Sequence, residues 1–199
     1  VVFASSCNVY GRATSTDIDE TVEPDPINPY AETKLEGESL LRSFREEHGT
    51  DATALRMATN YGDAPGVRFN LVVNYFVFRA MTDRALTVYG DGSNWRPFIH
   101  VEDAARAYMA AALSPEDWPE LVYNVGADAE NYRVGEIAEA VREEVGPVDV
   151  TYLEDEHPGP SYHVDFRRVG RTGYEPRWTL REGIRDLAAR FRGETTLDH

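Results

Sequence analysis

Lysine is almost missing from this sequence. Lys34 is the only one, and every other strongly basic residue is an arginine. Acidic side chains outnumber basic ones 35 to 20, giving a formal net charge of −15 and a pI near 4.7. That balance argues against nucleic acid as a partner, because phosphate recognition needs Lys and Arg gathered on one face. It equally disfavours an anionic membrane surface. An acidic, lysine-poor surface suits a protein kept soluble at high salt, so a halophilic origin is expected; a GC-rich genome is the plainer account of the same composition. On either account one lysine survives, at position 34, and that position asks for a reason.

Cysteine is equally scarce. Cys7 on its own allows no intrachain disulfide and no Cys-cluster zinc site, which fits a reducing, cytoplasmic setting. Val1-Val2-Phe3-Ala4 lacks a basic flank and runs into polar residues, so it does not read as a signal peptide. The longest apolar stretch, Leu71 to Met81, is broken by Asn74 and Arg79, and no segment reads as membrane-spanning. There is no Gly-x-Ser-x-Gly elbow, no His-Glu-x-x-His pair and no Gly-x-Gly-x-x-Gly turn. Gly90-Asp91-Gly92 lacks the third glycine and a following helix.

What remains is an ordinary globular pattern. The 42% hydrophobic fraction is enough for a sizeable core, and the length suits one domain or one domain with a small lobe. Val1 to Ala4, apolar and β-branched, reads as a buried parallel strand ending in Ser5-Ser6. Since a parallel strand needs neighbours on both sides, a further segment is expected ahead of it. Gly11 to Asn28 is loop-like. Asn28-Pro29 opens a helix that runs to about His48, with Gly49 as its stop. Strands are expected at Ala52–Met57, Leu86–Tyr89, Phe98–Val101, Val122–Val125 and Val148–Leu153. Helices are expected at Phe69–Thr82, Asp103–Leu113, Val134–Val145 and Leu180–Phe191. Strands alternate with helices throughout, which is the α/β pattern.

Two residues on the first helix carry the chemical interest. Tyr30 and Lys34 stand at i and i+4, on one face. An ammonium one turn from a phenol favours the phenolate, and a tyrosine so placed accepts or donates a proton. Alone, such a pair is most simply an ordinary surface pair. Ser6 adds weight, because it ends a parallel strand, where α/β proteins place ligands, and its hydroxyl is able to hydrogen-bond a substrate oxygen beside Tyr30. His48 at a helix end suits the dipole, and His100 reads as a satisfied core histidine. The run Glu154-Asp155-Glu156 reads as solvated surface.

The order of several motifs resembles the extended short-chain dehydrogenase/reductases, the family of UDP-galactose 4-epimerase and its relatives. These motifs are Ser5-Ser6-Cys7-Asn8-Val9-Tyr10-Gly11, Tyr30-Ala31-Glu32-Thr33-Lys34, Leu55-Arg56 with Tyr61-Gly62, Leu86 to Val101, Asn124-Val125-Gly126, and Pro176 to Ile184. The likeness covers essentially the whole chain.

The resemblance implies the C-terminal part of a Rossmann-like, doubly wound parallel sheet with a small α/β substrate-binding lobe. Residues 1–62 would belong to the NAD-binding domain. Residues 63–199 would form mainly the substrate lobe, with a segment at about 97–126 returning to the Rossmann-like core. The family's glycine-rich NAD turn is not in this sequence, so NAD is implied by likeness alone. The same likeness implies that Tyr30 is the general acid/base, that Lys34 holds the nicotinamide ribose and tunes Tyr30, and that Ser6 shares a hydrogen bond with the sugar hydroxyl. Contacts to a UDP- or GDP-sugar would come from Cys7, Asn8, Thr59, Asn70, Leu71, Tyr89, Arg96 and His157, with Arg96 on the diphosphate. In 4,6-dehydratases an Asp-Glu pair follows the Ser/Thr; here Cys7 and Asn8 stand there, so elimination of water loses support. The reaction implied is NAD-dependent epimerisation, at C4 through a transient ketone, in a homodimer. The alternatives are a reductase or dehydratase of the same family, or a non-catalytic incomplete piece.

Overall fold

The computed structural model describes residues 1–12, 17–154 and 159–193. Strand β1 (Val2–Ser6) leads into a 3-10 turn (Cys7–Tyr10), and helix α1 covers Pro29–His48. The helix begins where local chemistry dictates. Asn28 accepts the Ala31 N–H at 2.9 Å, Pro29 needs no donor there, and Gly49 closes the last turn at φ 61°. Strand β2 (Thr53–Met57) follows, then a short strand β3 (Thr59–Tyr61). Next come α2 (Val72–Met81), β4 (Leu86–Tyr89), β5 (Trp95–His100) and α3 (Val101–Leu113). The chain continues through β6 (Val122–Val125), β7 (Asn131–Arg133), α4 (Val134–Val145) and β8 (Val150–Leu153). A four-residue helix α5 (Arg167–Gly170) and α6 (Leu180–Gly193) complete it.

The described strands form three sheets. β1, β2 and β6 make a parallel sheet in the order β1-β2-β6. β5 pairs parallel with β3 and antiparallel with β7, while β4 pairs parallel with β8. Only β2 is flanked on both sides in the first sheet, and it is buried along its whole length. β1 pairs with β2, and among the described residues nothing pairs with its other edge, so it is half-buried here, with Ala4 exposed. Two large apolar cores result. One gathers Val9, Tyr10, Leu55, Ala107, Val125 and Val164 around the first sheet. The other gathers Val77, Leu86, Phe98, Ile137, Val141 and Ile184, where α2, α4 and α6 pack on one another. Among the described residues, no helix is long and apolar enough to cross a membrane.

Three expectations need correction. β5 covers Trp95–His100, not Phe98–Val101, because pairing with β7 extends its start and α3 already begins at Val101. α2 starts at Val72, not Phe69, because Arg68 to Leu71 turn first, with the Leu71 N–H on the Arg68 carbonyl at 3.3 Å. His100 is buried but only half satisfied. Its Nδ1 accepts the Glu102 N–H at 3.3 Å as α3 begins, while Nε2 has no partner among the described residues. The ring instead stacks on Trp178 at 4.1 Å between centroids.

Candidate active site

At the C-terminal end of β1, where the first sheet meets the second, lies a cleft of about 610 Å³. Parallel α/β sheets place ligands at this end of their strands. One wall is built from β1 and α1. Ser6 is the last residue of β1 and caps the 3-10 turn, its Oγ accepting the Asn8 N–H at 3.2 Å. That leaves the hydroxyl proton of Ser6 free to donate into the cleft. Tyr30, in the first turn of α1, is 51% exposed and faces the same space. Lys34, one turn on, donates to the Ala4 carbonyl at 2.7 Å, and its Nζ lies 5.5 Å from the centre of the Tyr30 ring. An ammonium carries three donors. The Ala4 bond is its one hydrogen bond among the described residues, so two protons remain for a ligand.

Cys7 and Asn8 line the cleft floor. Cys7 is buried, and its thiol donates to the Arg56 carbonyl at 3.1 Å. Burial pushes that thiol well above its ordinary range, so it stays protonated.

The opposite wall comes from β3, the start of α2 and β5. Thr59, Asn70, Leu71 and Arg96 all line it. The Arg96 Nη1 donates to the Trp95 carbonyl at 2.8 Å, and its guanidinium lies 5.4 Å from the centre of the Tyr162 ring. No carboxylate among the described residues pairs with it, and burial pushes its pKa down from the usual value. A partly buried, unpaired guanidinium of this kind favours an anion.

The sequence reading missed Arg68, Asn60, Tyr108 and Tyr162, which also line the cleft. Arg68 stands two residues ahead of Asn70-Leu71, a signal available in the sequence. Tyr108 sits mid-helix on α3 and Tyr162 in an irregular segment, so no local pattern marks either. Burial pushes the Tyr108 hydroxyl up to about 12. Tyr89 is not brought to the cleft; it ends β4, opposite Leu153 of β8, and is 62% exposed. His157 lies outside the described residues.

The cleft's charge is the reverse of the chain's. Lys34, Arg68 and Arg96 line it and no acidic side chain among the described residues does, in a protein of net charge −15. Low-dielectric walls lined by one sign of charge concentrate ligands of the other sign.

A sequence model described as the NAD dependent epimerase/dehydratase family matches residues 1–126. The chain is 32% identical over 193 residues to the low-salt glycan biosynthesis protein Agl12 of Haloferax volcanii, covering 96% of this chain and 61% of that one. A solved UDP-N-acetylglucosamine 4-epimerase from Methanobrevibacter ruminantium, in complex with UDP-N-acetylmuramic acid, superposes with a TM-score of 0.84. It is 26% identical and covers 97% of this chain and 63% of that one. For the UDP-glucose 4-epimerase of Thermus thermophilus in complex with NAD, the TM-score is 0.81 at 28% identity, over 96% and 63%. The chain thus spans 61% to 63% of the length of these three.

Proposed function

The chain belongs to the NAD-dependent epimerase/dehydratase family, and from that premise we propose that it forms the catalytic and substrate-holding part of an enzyme that epimerises a nucleotide-sugar at C4. The observation that carries the reading is the meeting of Ser6, Tyr30 and Lys34 with Arg96 in one cleft that no acidic side chain among the described residues lines. A proton-transfer group stands on one wall and an anion-binding group on the other.

The residues fit a nicotinamide nucleotide. Lys34 has two unused donors beside Tyr30, which suits a pair of ribose hydroxyls. NAD, when bound, supplies the acceptor and donor of hydride at the sugar carbon. The chain's own groups do the rest. The Tyr30 Oη takes the proton from the sugar hydroxyl and later returns it. Lys34 stabilises the phenolate form of Tyr30 that accepts this proton and that is restored when the proton is returned. The Ser6 Oγ donates to the same sugar oxygen and holds it in place. Arg96, with Arg68 further out, anchors the diphosphate, and Asn70 and Leu71 border the nucleotide. Dehydration would need a carboxyl acid/base pair beside the sugar. The protonated Cys7 thiol and the amide of Asn8 do not supply one, and this favours epimerisation over elimination.

A reductase on the same scaffold is the nearest competitor. NMR product analysis with UDP- and GDP-sugars separates the two. Epimerisation gives an isomer of unchanged mass with no net consumption of cofactor. A deoxy or reduced product with stoichiometric cofactor turnover would replace this reading.

Homodimerisation is part of the same proposal, supported by the exposed apolar pair Leu40 and Phe44 on α1. A cytoplasm of high salt suits the acidic composition. The placing of residues 1–62, with about 97–126, in the cofactor domain is supported by the first apolar core, and that of much of the rest in a substrate lobe by the second; Tyr162 to Tyr174 pack in the first core and so go against the placing of that segment.

A further inference from the structure

The face of α1 that carries Tyr30 and Lys34 continues, one turn on, to Glu38. Glu38 is 3% exposed, and its partner Arg56, next to the last residue of β2, is 5% exposed. The Arg56 Nε and Nη2 donate to the two Glu38 oxygens at 2.9 and 2.7 Å, a bidentate fork. Ser5, the residue before Ser6, donates its hydroxyl to Glu38 Oε1. The remaining arm of Arg56 donates to the Tyr10 hydroxyl at 2.9 Å, and Tyr10 donates in turn to Asn124 of β6 at 2.7 Å. One buried carboxylate therefore ties α1 directly to β1 and β2, and through Arg56 and Tyr10 to β6. Next to it, Gly37 lets α1 lie against Phe3 of β1, where any Cβ would collide with the Phe3 ring.

Stability alone does not account for this arrangement. A buried ion pair is often matched or bettered by apolar residues of similar volume. What apolar contacts lack is direction, and a fork of fixed geometry supplies it. Proton transfer depends on placement to within about 0.5 Å.

We propose that Glu38 and Arg56 are a positioning pair that sets the register of α1 on β1, and so holds Tyr30 and Lys34 opposite Ser6. The consequence for turnover rests on the proton-transfer reading above; the consequence for geometry does not.

Because Lys34 is the only lysine, the test has a readout that needs neither substrate nor cofactor. Acetic anhydride labels its side-chain amine, and peptide mass gives the rate, at a temperature where each variant is fully folded. In wild type, Lys34 is held on the Ala4 carbonyl. In the double variant Glu38→Leu, Arg56→Met, acetylation is expected to rise at least tenfold. In the catalytically active protein, kcat is expected to fall at least thirtyfold with KM changed less than threefold. Should the double variant not fold, Glu38→Gln, which keeps the volume and removes the charge, is judged by the same criteria. Acetylation within twofold of wild type overturns the proposal, whatever turnover does. Faster acetylation with undiminished turnover supports the positioning pair and sinks the role of Lys34 in tuning Tyr30 instead.

Discussion

The two walls of the cleft are built differently. The wall of β1 and α1 carries few charges into the cleft, but behind it lies a dense polar network, Ser5 to Glu38 to Arg56 to Tyr10 to Asn124. The wall of Arg68, Asn70 and Arg96 carries exposed or unpaired groups on a turn and on a strand held by the neighbouring Trp95 carbonyl. The difference matches two chemical demands. On the proposed function, moving a proton requires fixed geometry, which the directional bonds behind that wall would supply. On the same function, holding a diphosphate requires positive charge at roughly the right place, which Arg96 and the exposed Arg68 would provide.

Substitutions on the two walls should therefore fail in different ways. On the braced wall, Tyr30→Phe should lower kcat by about 10²–10⁴-fold, the usual worth of a positioned acid/base, with KM little changed. Steady-state rates check this, and a loss under tenfold would mean that the reacting wall has been misassigned.

The contrast between a paired and an unpaired buried carboxylate can be sharpened at Glu130, away from the cleft. Glu130 is buried and accepts the Leu180 N–H at 2.8 Å, with no cation among the described residues paired to it. Burial first of all, against that hydrogen bond, pushes it up to about 7 from an ordinary 4.5. Between these pH values the folded chain keeps a proton that the unfolded chain has lost. Its contribution to stability is therefore full below about pH 4.5 and is lost as pH rises towards 7. Glu130→Gln should remove this slope, a difference of about 2–3 kcal/mol across the window, read by denaturant melts of both proteins at pH 4.5 and 7.5. Parallel slopes would refute the assignment.

On the anion wall, Arg96→Met should raise KM for the nucleotide-sugar by about 10–100-fold, the worth of a hydrogen bond to a charged group, while kcat moves little. An equal fall in kcat with unchanged KM would erase the distinction between the walls. The smallest effect is expected for exposed Arg68. Arg68→Ala should raise KM about threefold at low salt and leave it nearly unchanged in molar KCl, because exposed charges are screened there. A salt series of KM tests it.

Much of the fold was legible where signals are local. Asn28, Pro29 and Gly49 bracket α1, and β2, β4, β6, α4 and α6 follow their apolar periodicity. The three-residue strands β3 and β7 were not legible, because their existence depends on pairing with β5 across long stretches of chain. At the site, Ser6, Tyr30, Lys34 and Arg96 were readable as ordered motifs, and the structure brings them together. Arg56 was marked as part of the Leu55-Arg56 motif but without a role, and Glu38 was opaque. A glutamate in a charged helix reads as surface, and only the packing of α1 on β1 and β2 shows that it is buried.

The most direct test of the account is to follow by NMR a UDP-hexose carrying deuterium at C4, incubated with NAD and the catalytically active protein, alongside Tyr30→Phe. The account predicts the C4 epimer with its deuterium retained, and a conversion at least a hundredfold slower in Tyr30→Phe. Deuterium lost to solvent, or epimerisation undiminished in Tyr30→Phe, would contradict it.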